Sequence, residues 1–151
     1  MTRRELLAAS VPFSLPATRA LSDFEHRIFD QINELRESWN APKLAWSGYL
    51  AALAREQCAR KAELHFPGHE DPERGGIDQR LAMAGINWAR CGENMFSERG
   101  YDDPVNYAIV FWWYSKGHRE NMLNPLYAQS GIGIFHADDG TFFVTQIFLT
   151  V

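Results

Sequence analysis

The chain has 151 residues, 46% of them hydrophobic and 23% charged, which suits one domain with a hydrophobic core of its own. Fifteen Lys and Arg against 19 Asp and Glu give a net charge of −4, and no cationic block provides the basic stripe that a nucleic-acid partner requires. No apolar run reaches the roughly 18–20 residues of a membrane-spanning helix.

The chain opens with Met1-Thr2-Arg3-Arg4, a moderately apolar stretch from Leu6 to Leu15, and Thr18-Arg19-Ala20. That order predicts an export segment over residues 1–21, with a disordered tail as the alternative. Residues 22–151 then form a single domain. Ser22-Asp23-Phe24-Glu25 has the spacing of a capping box. Behind it, Phe24, Ile28, Ile32, Leu35 and Trp39 predict an amphipathic helix that Asn40-Ala41-Pro42 stops. Ser47 is the expected cap of a second helix with Leu50, Leu53, Ala54, Cys58 and Ala62 on its inner stripe, ended by Pro67-Gly68.

Residues 68–76 form a polar loop, and a short helix follows from Asp78 to Ala84. Cys91-Gly92-Glu93-Asn94 is expected to be a glycine turn holding a carboxylate. Asp103-Pro104 opens a helix that carries Val105, Ile109, Trp112 and Trp113 toward Ser115. Lys116-Gly117-His118 is expected to be a second glycine turn, this one holding a histidine. Gly131–His136 and Thr141–Leu149 flank Asp139-Gly140, a strong hairpin signal. Helices first and a hairpin last predict an α+β fold.

Cys58 and Cys91 are the only cysteines. An exported chain would permit a bridge between them, which would staple a pocket wall; the alternative is two buried free thiols.

Six landmarks in order carry a family resemblance: Leu44-Ala45-Trp46; His69, with Arg80 beyond it; Gly92-Glu93-Asn94; Trp112 through Asn121; Gly131-Ile132-Gly133-Ile134; and Thr145-Gln146-Ile147-Phe148. The sequence resembles the CAP superfamily (cysteine-rich secretory proteins, antigen 5, pathogenesis-related 1), above all its compact bacterial SCP-domain branch. The resemblance covers residues 22–149. It implies an α-β-α sandwich, with helices on both faces of a small, mostly antiparallel sheet, and a secreted, extracellular or periplasmic protein.

The resemblance also implies a cleft lined by two histidines and two acids, which in some members binds zinc or another divalent cation. Matched residue by residue, the histidines are His69 and His118 and the first acid is Glu93. Ser115 stands where the second acid would be. Two imidazoles and a carboxylate are an acceptable donor set for a metal, although no His-Glu-x-x-His motif is present. Ser115 and His118 do not read as a nucleophilic pair, because no nucleophile-elbow pattern surrounds the serine; a helix cap is the simpler role. His65 reads as a helix-terminal residue, and His26 and His136 as surface residues. Trp112, Trp113, Tyr114, Phe142 and Phe143 read as core, with some rings lining an apolar groove beside the cleft.

Two functions follow. One is a binding module, with a lipid, sterol or cell-surface component as the ligand class that the resemblance implies. The alternative is a metal-assisted hydrolase, peptidase-like, with Glu93 as base and His69 and His118 as ligands. The missing second acid favours the first.

Overall fold

A computed structural model describes residues 14–151, with burial resolved from Arg19 onward; residues 1–13, and most of the expected export segment with them, lie outside it. In chain order the elements are α1 (Ser14–Ser38), β1 (Ala45–Trp46), α2 (Gly48–Leu64), α3 (Ile77–Met83), β2 (Arg90–Glu98), α4 (Val105–Trp113), α5 (Lys116–Leu123), β3 (Gln129–His136) and β4 (Phe142–Thr150). The strands form one sheet in the order β1-β3-β4-β2, with β1 parallel to β3 and the other pairs antiparallel.

Helix α1 does not begin at the expected capping box. It runs through Ser22 from Ser14, so Ser22 sits inside the helix. Glu25 has a different task. It is buried, takes a bidentate pair from Arg55 at 2.8 Å and accepts the Ile134 amide at 3.0 Å. A carboxylate placed this way satisfies an amide of β3 that no neighbouring strand reaches. At the other end α1 stops as expected: Asn40 takes φ 59° and the Ala41 amide reaches back to the Arg36 carbonyl at 2.8 Å. Fully buried Arg36 then donates to the carbonyls of Pro42, Met122, Asn124 and Tyr127, tying α1 to the α5–β3 connection.

The sheet separates two apolar clusters, and residue parity assigns each side. Ile132, Ile134, Val144 and Phe148 face α1 and α4, where they pack with Ile28, Ile32, Val105 and Trp112. Ile147 and Leu149 face α2 and α3, packing with Leu50, Ala54 and Leu81. The sandwich expected from the sequence is therefore the observed architecture. The Gly131-Ile132-Gly133-Ile134 alternation has a clear cause. Its isoleucines fill one face, while its glycines let the backbone of α2 lie directly on the other.

Three local expectations change. Residues 91–94 are not a turn but part of edge strand β2, which pairs with β4 from Arg90↔Thr150 to Glu98↔Phe142. Gly92 is required by crowding, not by φ: a Cβ there would meet the Tyr127 hydroxyl at 2.4 Å. Lys116-Gly117-His118 is the first turn of α5. In the aromatic cluster, Trp112 and Phe142 are buried as expected, but Tyr114 is 81% exposed; Phe111, outside that cluster, is 51% exposed. Helix α4 is apolar on its outer face as well as its inner one.

The Cys58–Cys91 bridge is also absent. Both thiols are free. Cys58 donates to Thr145 at 3.1 Å, whereas Cys91 pairs in register with Leu149, four residues along β4. At ~3.4 Å per strand residue that separation exceeds the reach of a disulfide. Burial pushes the Cys58 thiol up to about 12, so it packs as a small apolar group with a weak donor.

Candidate functional site

The site is assembled on both sides of edge strand β2. Its first histidine comes from the loop after α2. That helix ends at Leu64, where His65 takes the left-handed cap position (φ 53°), as a helix-terminal histidine should. The Lys61 ammonium then gathers the loop by donating to the carbonyls of Phe66 and Gly68, at 3.1 and 2.6 Å. Gln57 holds the His69 carbonyl at 3.4 Å. So fixed, the half-exposed His69 ring places Nδ1 2.9 Å from Glu93 Oε1.

Glu93 is buried on the α2/α3 face of β2 and is held twice over. Arg80 Nη2 donates to both carboxylate oxygens at 2.8 Å, and His69 adds the third contact. Arg80 lies in α3 rather than in a loop. The loop leading to that helix is organised by Asp71, which accepts the amides of Glu73 and Arg74 and pairs with Arg60. The Arg60 guanidinium holds the Asp71 carboxyl well below the usual carboxylate range. Because an ionised carboxylate only accepts, His69 carries a proton on Nδ1 in this contact, and Nε2 is the ring nitrogen left free of it.

The second histidine arrives from the opposite layer. Asn94 donates to the His118 carbonyl at 3.0 Å, and Asn121 donates to Asn94 Oδ1 at 2.9 Å. Trp112 Nε1 donates to the Met95 carbonyl at 3.0 Å. Gly92-Glu93-Asn94 and the segment from Trp112 to Asn121 are thus one hydrogen-bonded unit. The His118 ring lies 5.6 Å from that of Phe111, and its Nδ1 is buried without a partner among the described residues. Burial, and the nearby His69, lower the His118 pKa and keep its imidazole neutral at pH 7.

His69 and His118 line one cavity of about 300 Å³, walled by Met95, Phe96, Phe111, Phe143 and Val144. Glu93 sits behind His69 instead of facing the cavity. Ser115 is not among the lining residues: it occupies the N-cap position of α5, with its carbonyl accepting the Arg119 amide at 2.8 Å. Phe143 alone of the expected aromatic cluster reaches the cavity. His26 and His136 are exposed; His26 lies tilted against Trp46 and His136 stacks on Phe142.

Residues 29–148 match the family described as CAP, the cysteine-rich secretory protein family. The chain belongs to the CAP family. Among its relatives is the uncharacterized protein YkwD of Bacillus subtilis, 25% identical over 130 residues, which are 86% of this chain and 49% of that one. A crystal structure of an extracellular SCP-domain protein from Bacillus anthracis superposes with a TM-score of 0.75 at 27% identity, covering 86% of this chain and 41% of that one. An outer surface protein of Borrelia burgdorferi shares the CAP fold at a TM-score of 0.76 and 18% identity, covering 93% of this chain and 96% of that one. The chain spans about half the length of YkwD and less of the B. anthracis protein. The family match together with the likeness to the B. anthracis SCP-domain protein puts this chain in the bacterial CAP branch. No helix among the described residues is long and apolar enough to cross a membrane.

Among the described residues, no group of three or more His, Cys, Asp or Glu is poised around one point to enclose a divalent cation. His69 Nε2 and the unpartnered His118 ring suit an open site that shares its metal with water or ligand, with Glu93 bracing the first imidazole from behind. They do not suit a closed structural site.

Proposed function

We propose that this CAP domain is a binding module and not a hydrolase, with the two-histidine cleft at β2 as its ligand site. The observation that carries this reading is the grip of Arg80 on both oxygens of Glu93. A carboxylate neutralised by a buried guanidinium and turned away from the cavity is poorly placed to take a proton from water. Ser115 brings no second acid to the cavity. What remains is two imidazoles beside apolar walls. That surface suits a ligand with a lipid- or sterol-like body and a polar head, the head meeting the histidines directly or through a divalent cation. An exported location goes with this reading, and the N-terminal residue of the mature protein reads it directly: Met1 retained in a cytoplasmic fraction contradicts it.

The test is a zinc titration by calorimetry at pH 7, alongside an assay for casein hydrolysis. Wild type is expected to bind about one zinc with micromolar affinity, and His69→Ala and His118→Ala each to lose at least about tenfold. Metal requires neutral imidazole, so affinity falls with decreasing pH; the lowered His118 pKa moves its part of that loss below the ordinary histidine range. The zinc-loaded protein is expected to leave casein intact. Turnover abolished by Glu93→Gln would overturn the binding-module reading.

A further inference from the structure

The outward main-chain groups of a sheet's edge strands need partners, and the two edges of this sheet find them differently. At the β3 edge, the Ser47 amide donates to the Ser130 carbonyl at 2.9 Å, and Glu25 accepts the Ile134 amide at 3.0 Å. At the β2 edge, Trp112 takes the Met95 carbonyl at 3.0 Å and Asn121 the Glu93 carbonyl at 3.4 Å. Alternate residues of a strand face the same way, so Ser97 also points its main chain outward. There the partners run out. The N–H and C=O of Ser97 and the N–H of Met95 have no hydrogen-bond partner among the described residues. Ser97 is exposed, and no proline, lysine or bulge guards the stretch: Asn94-Met95-Phe96-Ser97-Glu98 pairs with β4 without interruption.

This bare edge opens into the histidine cleft. Phe143 lines the cavity from the α2 face of the sheet and Phe111 from α4, and Met95 and Ser97 line it between them. Phe111 is half exposed and lies against Phe96, with 5.3 Å between the rings. A lipid or sterol would fit such walls but would cover the edge without pairing it, which is costly for main-chain groups. An added strand pairs it. Two donors and an acceptor at strand spacing select an extended chain of amides, whose side chains alternate between the Phe143 and Phe111 sides. We propose that the ligand of the cleft is an extended apolar peptide segment of a partner protein. It adds to the four-stranded sheet beside β2, pairing with Ser97 and with the Met95 N–H. The proposal rests on the binding-module reading and narrows its ligand: hydrocarbon side chains are the apolar body, and the peptide main chain is the polar head.

The test is ¹H–¹⁵N NMR titration of the full chain with acetyl-Thr-Val-Phe-Val-Thr-amide and with a copy N-methylated at its central residues. Methylation keeps the side chains and removes the donors. The plain peptide is expected to bind at ~0.1–1 mM with its largest shifts at the Met95 and Ser97 amides, and the methylated copy at least about tenfold more weakly. Ser97→Pro removes an outward N–H and no bond to β4, so the ladder persists while affinity for the plain peptide falls at least about tenfold. The proposal is overturned by equal affinities for the two peptides, by largest shifts outside residues 94–99, by laurate binding tighter than the peptide, or by no saturable shift up to ~5 mM peptide. A concentration-dependent dimer that Ser97→Pro dissolves would overturn it too, by making a second copy the occupant of the edge. If Ser97→Pro does not fold, the two peptides on wild type decide alone. Zinc binding at the histidines is read separately, so failure here leaves the binding-module reading standing.

Discussion

Glu93→Ala lowers the unfolding free energy by about 3–5 kcal/mol, because it leaves a buried guanidinium without its counter-charge. Arg80 would retain only a 3.4 Å contact from Nε to the Gly75 carbonyl, at 7% exposure. Among the described residues, its ion pair is with Glu93. The effect belongs to the unpaired charge and not to the pair as such. Replacing both residues by methionine in one chain should therefore recover most of the loss, since well-packed apolar side chains often equal a buried ion pair. Urea denaturation at pH 7 measures both variants. A loss below about 1 kcal/mol for Glu93→Ala would mean that Arg80 finds another partner, and the proposed role of Glu93 would fall with it.

Gly133→Ala is the second large loss, at about 3 kcal/mol or more. A Cβ at Gly133 would stand 2.1 Å from the Arg55 amide nitrogen and 2.5 Å from the Ala54 carbonyl carbon, where ordinary contact begins at 3.4 Å. These are backbone atoms of α2, so no rotamer change relieves the clash and the helix must lift off β3. Lifting it also pulls Cys58 from the Gly133 carbonyl and loosens Leu50 and Ala54 over Ile147. Because α2 leads into the Lys61-pinned loop, His69 should be displaced with it. The variant should melt well below wild type and bind zinc more weakly than its remaining folded fraction accounts for. Gly85→Ala is no suitable control, because Gly85 has φ +74°. Gly117→Ala is, because a Cβ there meets nothing within 4 Å.

Much of this architecture was legible in the residues. The period of Ile28, Ile32 and Leu35 marks α1, Ser47 caps α2 with a 3.2 Å bond to the Leu50 amide, and Asp139-Gly140 closes the β3–β4 hairpin. Strand β2 was hidden because its alternation is polar on both faces. Glu93 is buried by an ion pair and Asn94 by a side-chain network, and neither carries an apolar signature. Gly92 imitated a turn for the same reason: its partner in the crowding, Tyr127, is far along the chain and leaves no local trace. Glu25 misled in the opposite direction, since a capping-box spacing is short enough to occur inside a helix.

For the site, sequence order singled out His69, Glu93 and His118; the structure hydrogen-bonds the first two and puts the two histidines on one cavity. Arg80 was visible only as a landmark. Its grip on Glu93 depends on where α3 packs against β2, which no periodicity within so short a helix encodes. Gln57 was invisible too, being a polar residue on the buried side of an otherwise apolar helix face. Ser115, placed in the cleft by its position in the family pattern, turned out to start α5 instead.

The central claim is that Glu93, clamped by Arg80, serves the cleft by orienting His69 and not by reacting. The most direct measurement is ¹⁵N NMR of the histidine side chains at pH 7, with and without zinc. The account predicts that His69 carries a proton on Nδ1, that His118 is neutral, and that zinc perturbs Nε2 of His69 together with the ring of His118. A His69 ring without a proton on Nδ1, or zinc that leaves both rings unmoved, would contradict it.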